Sequence, residues 1–211
     1  MVKSLSLRSI IYIVLVVLWA NSSIWSQAVP WFNPESQVAQ MSAKHDHGDC
    51  AVTRKEVDKQ LNIPIVEFQA RALFMHTHPK FQKWIKNKFL MECSANVYHA
   101  DKASFLQLHF KINSENAKHS YGKLEQGAKI KIMFSDGEYI YMENIERDRG
   151  TMKRSKKTTT YQGIFPIDKS DKKELKKREI EKIGIIWEEG YQEYEVQNVD
   201  LIKNQLNCLD K

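Results

Sequence analysis

The chain has 211 residues, of which 42% are hydrophobic, with five Trp, eight Tyr and nine Phe, enough to build a core and to exclude wholesale disorder. Its 32 Lys and Arg against 26 Asp and Glu leave a mild formal charge of +6, with the signs interspersed, which speaks against the concentrated positive face of a nucleic-acid binder. With the leader-like first 28 residues set aside, about 183 remain, the length of one domain, which typically runs to about 100–200 residues.

Residues 10–20 form an unbroken apolar run (IIYIVLVVLWA) behind Lys3 and Arg8 and ahead of the small residues Ser26 and Ala28. The run is too short for a hydrocarbon core, which needs roughly 20 residues. A secretory signal peptide over residues 1–28, cleaved near Ala28, is therefore expected, and with it export, secreted or periplasmic, and no transmembrane segment in the mature chain. Residues 29–49 hold Pro30 and Pro34 among Gln, Ser and Asn with neither a 2.0 nor a 3.6 period, the pattern of a flexible lead-in. Residues 50–211 are expected to form a single β-rich domain.

Along that domain, residues 63–76 alternate as a half-buried strand in their first half, with a helix over residues 67–75 as the competing reading. Residues 81–98 and 104–112 follow as strands, the second setting Phe105, Gln107 and His109 opposite Leu106, Leu108 and Phe110. In residues 128–143, Asp136-Gly137 supplies a two-residue type I′ turn between alternating arms. That loop pairs Phe134 with Tyr139 and Ile132 with Tyr141 on one face, expected to be the core face, and Met133 with Ile140 on the other. Residues 147–157 read as a basic polar stretch, residues 158–166 as a strand, and residues 171–178 as a short helix capped by Asp171 with Glu174 three positions on. Residues 180–187 and 192–202 make a last hairpin about Glu188-Glu189-Gly190. These elements add up to a mostly β fold, an antiparallel β-sandwich or barrel-like domain of seven or eight strands with one short helix.

Two His-x-His pairs are the sharpest chemical feature. On a strand, residues i and i+2 point the same way, so His76 and His78 could chelate one ion, with His45 and His47 of the other pair, or Asp49 or Cys50, closing the shell. The competing reading is surface histidines at a loop edge, since His78 precedes Pro79. Cys50, Cys93 and Cys208 are an odd set for an oxidising compartment. Cys93 and Cys208 lie in apolar segments and are the expected disulfide, although all three pairings stay open, as does a fully reduced state with Cys93 and Cys208 as small buried residues.

The basic clusters about residues 147–157 and 169–178 are interleaved with acids and read as solvated faces. Trp84 and Trp187 sit in strand-like settings and are expected to be buried rather than to stack on sugars. No Gly-x-Ser-x-Gly, His-Glu-x-x-His, phosphate loop or Cys-x-x-Cys occurs, and the Ser-x-x-Lys matches at Ser120 and Ser170 lack companion motifs.

From about residue 127 to 209, the Gly-Ala-Lys-Ile-Lys-Ile run before Asp136-Gly137, Tyr161 leading into Phe165-Pro166-Ile167, the Lys-rich helix through Leu175, and Asn207-Cys208-Leu209 resemble a loose class of exported β-rich proteins of Bacteroidetes type. The resemblance implies the fold and export, and transfers no activity and no site residues. The expected function is thus an exported binding or structural accessory domain acting on a protein, glycan or cell-surface ligand, with neither catalytic residues nor cofactor. The alternatives are a metal-binding protein using the two His pairs, and a hydrolase with dispersed carboxylates.

Overall fold

Strand β5 (Ala103–Ile112) runs through the middle of the larger sheet, and its strict alternation decides what lies on either side. Leu106, Leu108, Phe110 and Ile112 are fully buried on one face, and β5 pairs antiparallel with β4 (Met91–Ala100) and β9 (Thr158–Ile167) over nearly its whole length. The computed structural model describes residues 50–59, 62–81 and 89–210. The expected leader and lead-in, with His45 and His47, lie outside the described residues, as does Trp84.

Outward from β4 lie β2 (Pro64–Phe68) and β1 (Val52–Val57), with β3 (Arg71–His76) pairing β4 beside β2, and outward from β9 lies the short β8 (Thr151–Lys153). A second sheet of four strands has the order β11 (Gly190–Glu195), β10 (Ile180–Trp187), β6 (Lys129–Phe134), β7 (Tyr139–Glu143). Every pairing is antiparallel, and the sheets curl like half of a barrel. Three helices complete the described residues: α1 (Ala117–Tyr121), α2 (Lys169–Lys177) and α3 (Leu201–Cys208).

The mostly β, antiparallel expectation holds, and the element count is corrected to eleven strands and three α-helices among the described residues. Strand β1 is exposed at every position and carries no apolar alternation to betray it, and β8 is three residues inside a basic stretch. The last strand, expected over residues 192–202, ends at Glu195, and residues 201–208 form α3 because Leu201, Ile202, Gln205 and Leu206 share one helical face, which is buried. Helix α2 starts one turn earlier than expected: Asp168 is its cap, the carboxylate accepting from Asp171 N at 2.7 Å.

Both sheets contribute to one hydrophobic core. Trp187 of β10 is buried, as expected, with its ring edge-on to Phe110, Tyr121 and Tyr161 at 5.1, 5.3 and 5.3 Å. Hydrogen bonds join the sheets at two places. After β7, Ile145 N donates to Ile164 O and the buried Asn144 accepts from Ile164 N, both at 2.9 Å. After β11, Gln197 N donates to Leu73 O, and the Gln197 amide exchanges two hydrogen bonds with the backbone of Met75, at 2.8 and 3.0 Å.

The segment expected as one strand over residues 63–76 is broken at Gln69 and Ala70 into β2 and β3, which occupy successive stretches of the same edge of β4. The break leaves Val97 N and Gln69 O without ladder partners. Gln205 of α3, fully buried, fills the gap: its Oε1 accepts from Val97 N at 2.7 Å and its Nε2 donates to Gln69 O at 3.0 Å.

The β6–β7 hairpin differs from expectation by one residue. Phe134 N bonds to Glu138 O and Gly137 N to Phe134 O, so the loop is Ser135-Asp136-Gly137, with Gly137 alone at positive φ (88°). This is the three-residue hairpin in which a type I turn is followed by a left-handed glycine. Met133 therefore faces Tyr139, Ile132 faces Ile140 and Lys131 faces Tyr141. A slip of one residue turns every side chain of a strand to the other side. Ile130, Ile132, Phe134 and Met142 go to the core, and Tyr139 and Tyr141 go to the outside.

Candidate functional surface

The outer face of the four-stranded sheet is built from three register rows. Glu193, Gly184, Lys131 and Tyr141 form one row across all four strands, and Glu195, Lys182, Met133 and Tyr139 form the next. Tyr191 stands opposite Ile186, and Lys129 opposite Glu143, beyond them. Tyr139, Tyr141 and Tyr191 are 53, 53 and 50% exposed, and Ile186 is also exposed. An aromatic side chain left half in water gives up much of its hydrophobic stabilisation, so three on one face form a feature that folding alone does not require.

The tyrosines are held in place. The Tyr139 and Tyr141 rings meet edge to face at 5.4 Å, and Lys131 Nζ stands 4.5 Å from the centre of the Tyr139 ring. The phenol end of Tyr191 lies across Gly184: a Cβ there would stand 2.0 Å from the Tyr191 hydroxyl and 2.4 Å from two of its ring carbons. Glycine in mid-strand weakens a sheet, and here it makes room for an aromatic ring to lie against the backbone. The Tyr191 hydroxyl donates to Glu193 Oε2 at 3.1 Å, and burial, Glu193 and Tyr141 together push its pKa up, so the phenol stays neutral. The charges on this face pair locally, Lys129 with Glu143 at 3.3 Å and Lys182 with Glu193 at 3.6 Å.

A second polar arrangement lies on the far side of the large sheet from the core. Gln107 and His109, which the alternation of β5 places opposite the leucines, face Asn96 and Ser94 of β4. All four are buried. Asn96 Nδ2 donates to Gln107 Oε1 at 3.0 Å, which leaves Asn96 Oδ1 to accept from His109 Nε2, also at 3.0 Å. The next pair along is Lys111 with Glu92 at 3.3 Å, the latter also accepting from Asn113 Nδ2 at 2.9 Å. Ser94 Oγ has no hydrogen-bond partner among the described residues, so Ser94 and His109 stand in register without forming a nucleophile and base pair.

Burial pushes the His109 pKa down from 6.5 to about 4. The unfolded chain therefore takes up this proton first as pH falls, and the stabilisation is complete above pH 6.5 and is lost as pH approaches 4. The loss from His109 should reach about 3 kcal/mol at pH 4. Urea unfolding at pH 7 and near pH 4 should show the wild type losing about that much more than His109→Gln. Equal losses in the two proteins would refute the assignment.

His76 ends β3 and is half-buried, its ring edge-on to Tyr194 at 5.2 Å; burial, then the nearby His78, lower its pKa. His78 follows in the loop, its Nδ1 accepting from Lys80 N at 3.3 Å and its ring 6.1 Å from Phe81. Among the described residues no group of three His, Cys, Asp or Glu gathers as a metal shell, and His45 and His47 lie outside them.

The expected Cys93–Cys208 pairing is corrected. The disulfide joins Cys50 to Cys208, and Cys93 is a buried free thiol on the core face of β4, its pKa pushed up by burial. An apolar context marks a buried thiol as readily as a bridged one, and at Cys93 it marks the thiol. The basic clusters are solvated, and several of their members are ion-paired: Arg147 with Glu125, Lys157 with Glu115, Lys176 with Asp210, and Arg178 with Glu174 and Asp136. The described residues contain no helix long and apolar enough to cross a membrane. No protein-family model, curated protein or solved structure matches the chain.

Proposed function

We propose that this chain is an exported binding domain without catalytic activity of its own, and that it meets its ligand on the outer face of the four-stranded sheet. The carrying observation is the set of three half-exposed tyrosines on one open face, one of them seated on a mid-strand glycine. The two sheets about one core serve as the rigid, sandwich-like scaffold on which such a face is displayed. Export is supported by the leader-like run of residues 10–20 and by the Cys50–Cys208 bond, since structural disulfides persist in oxidising compartments.

The test is saturable binding of the purified protein to cell envelopes of the organism that produces it. Replacing Tyr139, Tyr141 and Tyr191 together by Ala should weaken that binding at least ~10-fold, about 1.4 kcal/mol, with little change in thermal midpoint because all three side chains are half-exposed. A triple variant that binds as the wild type does would overturn the reading.

A further inference from the structure

The geometry points to the class of ligand this face takes: a neutral glycan chain, an assignment that rests on the tyrosine face being the binding surface. Three properties carry it. The first is charge. The face carries Lys129, Lys131 and Lys182 against Glu143, Glu193 and Glu195, an equal number of each sign, and most are engaged with one another or, for Lys131, with the Tyr139 ring. A polyanion is bound through positive groups that replace its counterions, and this face has none in excess. The second is shape. Tyr191 is held down by Gly184, and a sheet face with an aromatic laid along it presents a broad platform rather than a pocket. Such a platform suits an extended chain better than a compact small molecule, which requires a concave site that surrounds it.

The third is the chemistry of the groups presented. The C–H bonds on one face of a pyranose ring are weakly positive and rest on the negative face of a phenol ring, while the hydroxyls around the sugar's rim need donors and acceptors beside the ring. Tyrosine provides both, and Glu193, fixed by the Tyr191 hydroxyl, lies alongside as a further acceptor. A protein partner would use the aromatics too, but its hot spots are ringed by neighbours that shut out water around a desolvated centre. Here the Tyr191 ring over Gly184 is flanked along its row by Glu193 and Lys131, charged side chains rather than an apolar rim.

The assignment is tested by isothermal titration of the full chain with cellohexaose, laminarihexaose and chitohexaose, and with hexagalacturonate as the anionic comparison, at low and high salt. At least one neutral hexaose should bind, with an affinity that changes less than ~2-fold with salt because no counterions are released. Tyr191→Ala and Gly184→Ala should each weaken it at least ~10-fold, the second because its methyl group expels the ring without removing any tyrosine. Preference for the anionic sugar, with a steep fall in salt, would overturn the glycan assignment. Failure of all three neutral sugars, while envelope binding persists and is abolished by protease treatment of the envelopes, would assign a protein partner and leave the binding face standing. Self-association in sedimentation equilibrium that the triple Tyr variant abolishes would make the occupant a second copy and overturn it as well. Envelope binding unaffected by the triple variant would remove both readings together.

Discussion

Replacing Cys50 and Cys208 by Ser should lower the unfolding free energy by about 3–5 kcal/mol, the largest effect expected of any single bond in this molecule. The two cysteines are 158 residues apart in sequence, with Cα atoms 5.8 Å apart, so the bond closes nearly the whole described chain into one loop. Loop-closure entropy for a ring of that size comes to about 5 kcal/mol, and native-state effects usually reduce it. The bond also acts locally. Cys208 ends α3, and Ala51, next to Cys50, accepts a hydrogen bond from Gln69 N at 2.7 Å, so the disulfide clamps the helix onto the β2–β3 break. Urea unfolding of the double Ser variant should match that of the wild type in reductant. Cys93→Ala should leave the bridge intact and raise only the smaller penalty of a trimmed core side chain. Titration of three free thiols in the unreduced, denatured protein would sink the prediction.

The parts of the fold legible in the sequence were those where one face is apolar and the other polar. Alternation in residues 104–112 set Leu106, Leu108 and Phe110 opposite Phe105, Gln107 and His109, and the first three lie in the core. Trp187 was legible for the same reason. What failed was decided by single residues. Asp136-Gly137 suits a two-residue turn and equally the last two positions of a three-residue one, and the choice moved Tyr139 and Tyr141 from the core to solvent. With the two-residue turn the tyrosines read as packing residues, so the candidate surface was invisible. A signal for it did exist in Gly184, a glycine in the middle of an otherwise branched run (Ile183, Ile185, Ile186), which marks a close approach by something from outside. The β2–β3 break and α3 were hidden because neither Gly nor Pro punctuates residues 67–76 or 196–208, and the break is held by a side chain more than a hundred residues away.

That side chain yields the second large effect. Gln205→Ala should destabilise the protein by about 2–6 kcal/mol, since a buried backbone donor and a buried acceptor are each left unmet at about 1–3 kcal/mol. Gln205→Glu separates hydrogen bonding from volume: a carboxylate of the same size still accepts from Val97 N but has no donor for Gln69 O, and brings a charge into a site with no exposure. It should therefore be about as damaging as Ala at neutral pH and recover part of the loss as pH falls and the carboxyl protonates, the reverse of the trend His109 imposes. Because α3 is clamped by the Cys50–Cys208 bond, the two features act on one junction. The triple variant lacking both cysteines and Gln205 should thus lose less than the sum of the separate losses, the shortfall measuring how much of the disulfide's effect is exerted through the sheet break. Strict additivity would mean that the bond acts on the unfolded chain alone.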